Sequence, residues 1–465
     1  MTAATVLGYP VLGGRVMGDV ATRTEVKQGA DHYQLQCLKS GVFLSDTREH
    51  GRASFPLVAP NQEGAFLRTV YRHRRLRVGL PTEGLFRFAR WLPVQLRLSG
   101  SGAPISYRST ALAAELGLEH LYITFSGWWP ERGARTPTGT FKEHEAYAVY
   151  GRMGTAAYQE TLVVASAGNT ARAFLRVASE NNLPLVVVVP EANIPELWTV
   201  GPRGASTVVV AAGDGSDYSD AIRLAQLISS QPGFLPEGGA KNVARRDGMG
   251  TTYLSAAHTM GRTPDHYFQA VGSGTGAIAA WEANMRLLRD GRFGRTLSRL
   301  HLAQNAPFQV LVDSWNARSR SVLVPPEAES RRQVASIRAK VLANRNPPWS
   351  PVGGLFDALS ATEGRMYAVE NAEAVAAGEL FAELEGIDPS PAATVACGAL
   401  VQAVRSGTVK PTDSINLNIT GGGFIRARED LDTVPLSADI IAGNDLFEAE
   451  AIAAEVRRIQ TIRRS

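Results

Sequence analysis

The chain has 465 residues, 44% hydrophobic and 20% charged, a globular composition with room for two or three domains. Its 48 Lys and Arg against 44 Asp and Glu leave a net charge of +4, too small a surplus to argue for nucleic acid but one that suits anionic small substrates. Two cysteines, Cys37 and Cys397, exclude a disulfide framework and a cysteine zinc site, and no apolar run reaches the ~20 residues that span a bilayer.

Residues 1–19 lack a basic stretch followed by an apolar one, so no signal peptide is expected and the cytoplasm is the default compartment. Residues 1–100 read as an N-terminal extension with short strands. Within it, Tyr33–Cys37 alternates like a strand and runs into a turn at 38–41, and residues 66–70 form another strand-like piece. The basic run at 72–77 reads first as a solvated face, with a phosphate-facing edge or an oligomer contact as the alternative.

From about residue 105, helices and apolar strands alternate, which predicts an α/β fold with largely parallel sheets. Strands are expected at 121–125, 161–165, 185–189, 207–211, 267–271, 300–304, 367–369 and 414–419. Helices are expected at 110–116, 143–150, 171–179, 218–228, 251–260, 277–288, 371–384 and 392–406. The runs at 185–189 and 207–211 lack polar alternation, as strands buried on both faces do. Residues 316–353 are polar, Arg-rich and broken by Pro325-Pro326 and Pro347-Pro348, and read as an insertion or lid-like excursion. Residues 445–465 read as an amphipathic helix.

Four stretches carry chemistry. Thr136-Pro137-Thr138-Gly139-Thr140-Phe141-Lys142 is a polar turn that delivers one lysine into a helix-competent run. On a surface that lysine is only charge; with its stem enclosed, its pKa falls and it becomes the nucleophilic amine of Schiff-base chemistry. Gly272-Ser273-Gly274-Thr275-Gly276 lies between a predicted strand and a predicted helix, where backbone N–H groups and the helix N-terminus suit a phosphate monoester. Its alternative is an ordinary Gly-rich turn. The G-x-G-x-G spacing fits a Rossmann site poorly, and the missing Lys-Ser/Thr excludes a Walker A site. Ser166-Ala167-Gly168-Asn169-Thr170 can hold a carboxylate on its N–H groups while Asn169 donates to a phenolate oxygen, or it is simply a helix cap by Asn169 or Thr170. Thr420-Gly421-Gly422-Gly423 offers a hydroxyl to an acceptor nitrogen, or is a turn.

The order of these stretches resembles that of fold-type II pyridoxal phosphate enzymes, the threonine synthase group in particular. The family's S-F-K-D/E falls on Thr140-Phe141-Lys142-Glu143, its S-x-G-N-T on Ser166 through Thr170, and its G-x-G-T-G on Gly272 through Gly276. Gly386-Ile387-Asp388-Pro389-Ser390-Pro391-Ala392-Ala393 also looks like that group, and the resemblance covers roughly residues 100–425. Within the group the chain is most similar to the cysteate synthases, on Gly127-Trp128-Trp129-Pro130-Glu131-Arg132-Gly133-Ala134 and on Phe141-Lys142-Glu143 with Glu145-Ala146. His144 and Glu145 stand where threonine synthases often carry arginine and glycine. The segment around Tyr33–Cys37 resembles the family's N-terminal ribbon, but the ribbon's other cysteines are absent, so no metal is carried over.

The resemblance implies a two-domain fold like that of the tryptophan synthase β chain. A large cofactor-binding domain would comprise 101–142 and 245–440, a small substrate-closing domain 143–244, and a C-terminal helix 441–465. It implies pyridoxal 5'-phosphate on Lys142, which then serves as the base at Cα, with Asn169 at the ring hydroxyl. Gly272, Ser273, Gly274, Thr275 and Gly276 would hold the phosphate, and Thr420 would face the pyridine nitrogen. A hydroxyl there leaves that nitrogen largely unprotonated, which favours prompt expulsion of a β-leaving group. Ser166, Ala167, Gly168 and Thr170 would take the substrate carboxylate, with Thr138, Arg135 and His144 nearby and Arg172, Lys241, Arg245 and Arg246 as further candidate cations. The implied reaction is β-replacement of O-phospho-L-serine by sulfite, through an external aldimine and an aminoacrylate, to L-cysteate and phosphate. The alternatives are a threonine synthase-like conversion of O-phosphohomoserine and replacement by another nucleophile. A non-catalytic relative is disfavoured by the joint retention of all four stretches. No nucleic-acid module accompanies the 72–77 run, so the expected partners are small molecules and a second copy of the chain, a homodimer by family analogy.

Overall fold

In Tyr33–Cys37 the alternation buries Tyr33, Leu35 and Cys37 on one face, so this segment forms β1, the middle strand of an antiparallel ribbon with β2 (Phe43–Leu44) and β3 (Leu67–Tyr71). The computed structural model describes residues 32–46, 56–166, 168–213, 215–443 and 449–465. The first 31 residues of the expected extension, Ala167 and residues 445–448 of the expected closing helix lie outside the described residues. Leu85, Phe88, Trp91, Leu92 and Val94 are buried in one core with the helix that Lys142 begins, so this part of the extension is continuous with the main body of the protein. The basic run at 72–77 is exposed apart from Leu76.

The chain then enters a six-stranded sheet through β4 (Ile105–Arg108), α1 (Ala111–Glu115) and β5 (His120–Phe125). A hairpin of β6 (Trp128–Trp129) and β7 (Ala134–Arg135) leads to the lysine turn and to α2 (Lys142–Met153). A second sheet is laid down by β8 (Thr161–Ala165), α3 (Asn169–Asn181) and β9 (Leu185–Pro190). The short β10 (Trp198–Val200) precedes β11 (Thr207–Ala212), α4 (Tyr218–Ser229) and β12 (Phe234–Pro236). Helix α5 (Val243–Met260) returns the chain to the first sheet, followed by β13 (His266–Ala270), α6 (Thr275–Asp290) and β14 (Arg299–Asn305). Helices α7 (Val310–Asn316), α8 (Glu327–Ser336) and α9 (Leu355–Ala361) come before β15 (Arg365–Val369). Two long helices, α10 (Asn371–Glu385) and α11 (Pro391–Arg405), precede β16 (Ser414–Ile419). The chain closes with α12 (Phe424–Asp430), β17 (Thr433–Pro435), β18 (Ile440–Ala442) and α13 (Ala449–Arg464).

The large sheet has the order β15-β14-β13-β16-β5-β4 and is parallel except for β4. The small sheet has the order β12-β8-β9-β11-β18 and is parallel throughout. β9 and β11 are buried along their whole length, as their Val-rich, unalternating sequences require of strands covered on both faces. The fold is α/β with mostly parallel sheets flanked by helices.

Three features depart from the sequence reading. The last strand and helix complete the small sheet: β18 pairs with β11 at Val210 and Ile440, and Ile452, Ala453 and Val456 of α13 share its core. Helix α5 begins at Val243 rather than 251, because Gly248 and Gly250 read as breakers. Gly248 is there for close approach, since a Cβ on it would lie 2.4 Å from the His144 carbonyl oxygen of α2. Finally, the 316–353 excursion is packed: Ile337, Ala339, Leu342 and Trp349 are buried. Its Val341 carbonyl would be 2.9 Å from a Cβ at Gly272, so this segment backs the glycine cradle. Its Arg345 and Arg331 pair with Asp217, whose side chain caps α4 on the small sheet.

Candidate active site

Lys142 is the first residue of α2, and the turn before it is cinched by the next residue. Thr138 donates its N–H and its hydroxyl to Glu143 Oε2, at 3.1 and 2.7 Å. Thr138, expected on the substrate side, thus has both donors engaged in shaping the turn. Burial raises the Glu143 carboxyl to about 7.

The lysine turn is locked to the late threonine turn. Phe141 N donates to Thr420 O at 2.9 Å, and Gly422 N donates to Gly139 O at 3.0 Å. The stretch at 386–393 supports that second turn from its other side. Ser390 N donates to Gly421 O and Gly423 N to Asp388 O, both at 2.8 Å, while Asp388 Oδ2 accepts Phe424 N at 2.9 Å. Segments more than 200 residues apart in sequence therefore meet at Lys142 through backbone hydrogen bonds, which fixes the site independently of side-chain rotamers.

The glycine cradle joins them through Phe141. It closes β13 and opens α6, and a Cβ on Gly276 would lie 2.9 Å from the Phe141 ring and 2.7 Å from Gln269 Nε2, so only glycine lets the cradle seat this closely. The N–H groups of Gly272, Ser273, Gly274 and Gly276 have no protein hydrogen-bond partner among the described residues. Ser273 and Thr275 share a hydroxyl hydrogen bond of 2.9 Å. Phe141, Met249 and Ala279 form a small apolar cluster beneath the lysine.

The Gly-Asn loop ends β8 of the small sheet. Ser166 Oγ accepts from Gly168 N at 3.1 Å and from Ala171 N at 3.0 Å, so Ser166, not Asn169 or Thr170, satisfies the start of α3. Asn169 Oδ1 accepts from Arg172, whose guanidinium also donates to Glu196 O at 3.0 Å and lies 5.1 Å from the centre of the Trp198 ring. Burial lowers Arg172 to about 10. Thr170 is buried, and Ala167 lies outside the described residues. The cradle, the threonine turn and the Gly-Asn loop all follow the carboxyl ends of parallel strands, where open α/β sheets gather their ligands.

Lys142 Nζ is 3.2 Å from Glu145 Oε2 and 3.9 Å from Met249 Sδ. Burial lowers its pKa; the Glu145 carboxylate opposes that shift and Arg245 reinforces it. Glu145 is wholly buried and also lies 3.2 Å from Arg245 Nε, and Arg245 Nη1 is 2.6 Å from Glu237 Oε2. An acid three residues after the lysine in a helix was a signal for the first of these contacts. Glu237 had none, because it arrives from the end of the small sheet.

Two expected substrate residues are placed otherwise. His144 is entirely buried, its ring nitrogens have no partner among the described residues, and burial with the Arg87 charge pushes it down to about 3. It is neutral at physiological pH and is not one of the cations that anionic substrates require. Arg135 is exposed on β7, outside the buried junction around Lys142. Of the further candidates, Lys241 is exposed, and Arg246 is buried against Glu282 at 3.0 Å and serves the fold.

The residues present fit pyridoxal phosphate. The amine of Lys142 is buried and its pKa lowered, the cradle offers N–H groups without protein partners, and Thr420 stands where the two turns join. Among the described residues no group of three or more His, Cys, Asp and Glu is placed to hold a metal ion, and no helix is long and apolar enough to cross a membrane.

Comparison with known proteins adds three findings. The pyridoxal-phosphate dependent enzyme family matches residues 109–421. The chain is 48% identical over 429 residues to cysteate synthase of Methanoregula boonei, covering 92% of this chain and 98% of the relative, and 46% identical over 431 residues to cysteate synthase of Methanoculleus marisnigri, covering 92% and 96%. Among solved structures it resembles the processed form of threonine deaminase isoform 2 from Solanum lycopersicum, with TM-score 0.53 and 16% identity over 70% of this chain and 83% of that one, a likeness of fold.

Proposed function

The chain belongs to the pyridoxal-phosphate dependent enzyme family, among the cysteate synthases, and on that footing we propose that it joins sulfite to the β-carbon of O-phospho-L-serine, giving L-cysteate and phosphate. It is a pyridoxal phosphate-dependent enzyme of the β-replacing kind. The observation that carries the reading is the junction of a buried Lys142 with the cradle and the Thr420 turn, in a chain that is 48% identical to a cysteate synthase across 92% of its length. The relatives favour this reaction over the conversion of O-phosphohomoserine.

Bound pyridoxal phosphate supplies an electron sink for the pair left at Cα. The N–H groups of Gly272, Ser273, Gly274 and Gly276, without protein partners among the described residues, would hold its phosphate, Lys142 would anchor it, and Thr420 and Asn169 would offer polar groups to its ring. The Ser166 to Thr170 loop receives the substrate carboxylate. Lys142 takes the proton from substrate Cα. The Cβ–O bond then breaks and phosphate leaves with its electron pair. The sulfur lone pair of sulfite forms the Cβ–S bond, and Lys142 returns its proton to Cα. Burial lowers the Lys142 pKa, which favours the free amine that accepts that proton. We read the enzyme as a cytoplasmic homodimer, in keeping with free, buried Cys37 and Cys397 and with family analogy.

The test is a mixing experiment. Cofactor-loaded protein receives O-phosphoserine or O-phosphohomoserine, each with and without sulfite, while phosphate and amino-acid products are measured. The expected result is cysteate from phosphoserine only when sulfite is present. Lys142→Ala is expected to lose the visible cofactor band and on the order of a thousandfold or more in kcat. Threonine made from phosphohomoserine would overturn the substrate assignment.

A further inference from the structure

Around Lys142 lies a buried chain of charge that the proton transfers, phosphate loss and sulfite addition do not use. Glu145 Oε2 sits between two cations, 3.2 Å from Lys142 Nζ and 3.2 Å from Arg245 Nε. Arg245 is held on its other side by Glu237, 2.6 Å from Nη1, and Glu237 is fixed in turn by the N–H of Gly239 at 2.9 Å. The four groups come from three places: Lys142 and Glu145 from α2, Arg245 from α5, and Glu237 from the residue after β12. Tyr218 of α4 also feels the charges of Arg245, Glu237 and Glu145, and burial raises its pKa; Met249 and the Phe141 ring lie against Lys142 Nζ.

Glu145 is costly where it stands. It is wholly shielded from water, and its Oε1 accepts no hydrogen bond among the described residues. A carboxylate retained under those conditions is held by charge. Arg245, itself raised by Glu145 and Glu237 against the effect of burial, keeps its positive charge at every physiological pH. Glu145 Oε2 thus stands 3.2 Å from each of two cationic groups and faces the lysine nitrogen from a position that Arg245 fixes.

We propose that Glu145, fixed by Arg245 and Glu237, is the permanent counterion of the Lys142 nitrogen, a positioning residue that lets this nitrogen keep the proton it takes from substrate Cα until it is returned. The role rests on the β-replacement reading. Burial by itself favours the free amine, which helps Lys142 accept the proton and hinders it from holding one. Between those two moments phosphate must leave and sulfite must add. An opposite charge within about 4–6 Å shifts a pKa by roughly 1–3 units toward the charged form, which opposes the burial without cancelling it. The balance is simple: the Cα–H bond breaks, an N–H bond forms on Lys142, the electron pair stays on the substrate side, and Glu145 remains a carboxylate throughout.

The variant to make is Glu145→Gln, which keeps the shape and removes the charge, with Glu145→Asp as the charge-retaining control. The visible absorbance of the cofactor-loaded proteins is titrated with pH, which reads protonation at the Lys142 nitrogen without turnover. Loss of the counterion is expected to lower the midpoint by about one unit or more in Glu145→Gln and by less in Glu145→Asp. In the same Glu145→Gln protein kcat is expected to fall by about 10- to 100-fold with KM for phosphoserine nearly unchanged, since the charge acts on the proton and not on binding. Should Glu145→Gln fail to load cofactor, its Lys142 is titrated directly by NMR after 13C-methylation of the full chain's six lysines, and the same downward shift is expected. A midpoint that stays put or rises overturns the proposal. A wild-type protein with no visible band would sink the cofactor reading itself, before any variant is compared.

Discussion

Glu143 and Glu145 are neighbours of the same lysine and do opposite things. Glu145 sits between two cationic groups, whereas Glu143 accepts two hydrogen bonds from Thr138, and burial raises its carboxyl from 4.5 to about 7. The folded state thus binds a proton at Glu143 more tightly than the unfolded chain does. Its contribution is favourable below pH about 4.5 and is lost as pH rises through about 7. Glu143→Gln is expected to flatten the fall in stability across that window and to raise the melting temperature above pH 7, read by thermal unfolding at a series of pH values. Lys142, the cradle and Thr420 were legible in the sequence because each is a contiguous turn whose chemistry is written in adjacent residues. The surroundings of His144 were not. A polar residue two steps from the lysine reads as a ligand, but the helix turns it about 200° around, into the core.

Helix α5 shows what element-level patterns miss. Its first eight residues include Gly248 and Gly250, which on propensity argue against a helix, yet Gly248 packs closely on α2 and Gly250 on α6, and the helix brings Arg245 and Met249 to the lysine. Asn242 caps this start, accepting from Ala244 N at 3.1 Å. Tertiary contact outweighs local preference here. Gly248→Ala is expected to cost about 1–3 kcal/mol, because the new methyl must displace the His144 carbonyl and spread the two helices. Denaturant midpoints would report that cost, and a weaker cofactor affinity in the same protein would show that the spacing of α2 and α5 sets the site. By contrast, the strands of both sheets were readable directly, since fully buried parallel strands leave uninterrupted apolar runs.

Across the whole molecule, the N-terminal ribbon is clamped to the far end of the helix that Lys142 starts. Arg152, wholly buried, donates to both Asp46 carboxylate oxygens at 2.7 and 2.8 Å, and it also donates to Asn242 Oδ1 at 2.9 Å where α5 begins. Tyr33 of β1 donates to the same Asp46. Asp46→Asn would leave the buried guanidinium without its counter-charge and is expected to cost about 3–5 kcal/mol, seen as a lower urea midpoint with an unchanged slope. No sequence pattern announces such a contact, because its partners are distant in the chain and individually ordinary.

The pairing of β18 with β11 also orders events in time. During synthesis β11 emerges with β8, β9 and β12, yet the strand that covers its edge is encoded some 230 residues later, after the entire large sheet. Until residue 440 leaves the ribosome, the nascent chain carries an open, Val-rich parallel edge of the kind that recruits other chains. Expression of this protein is therefore expected to be limited by what shields that edge during translation, so chaperone supply and a slower translation rate should raise the soluble yield.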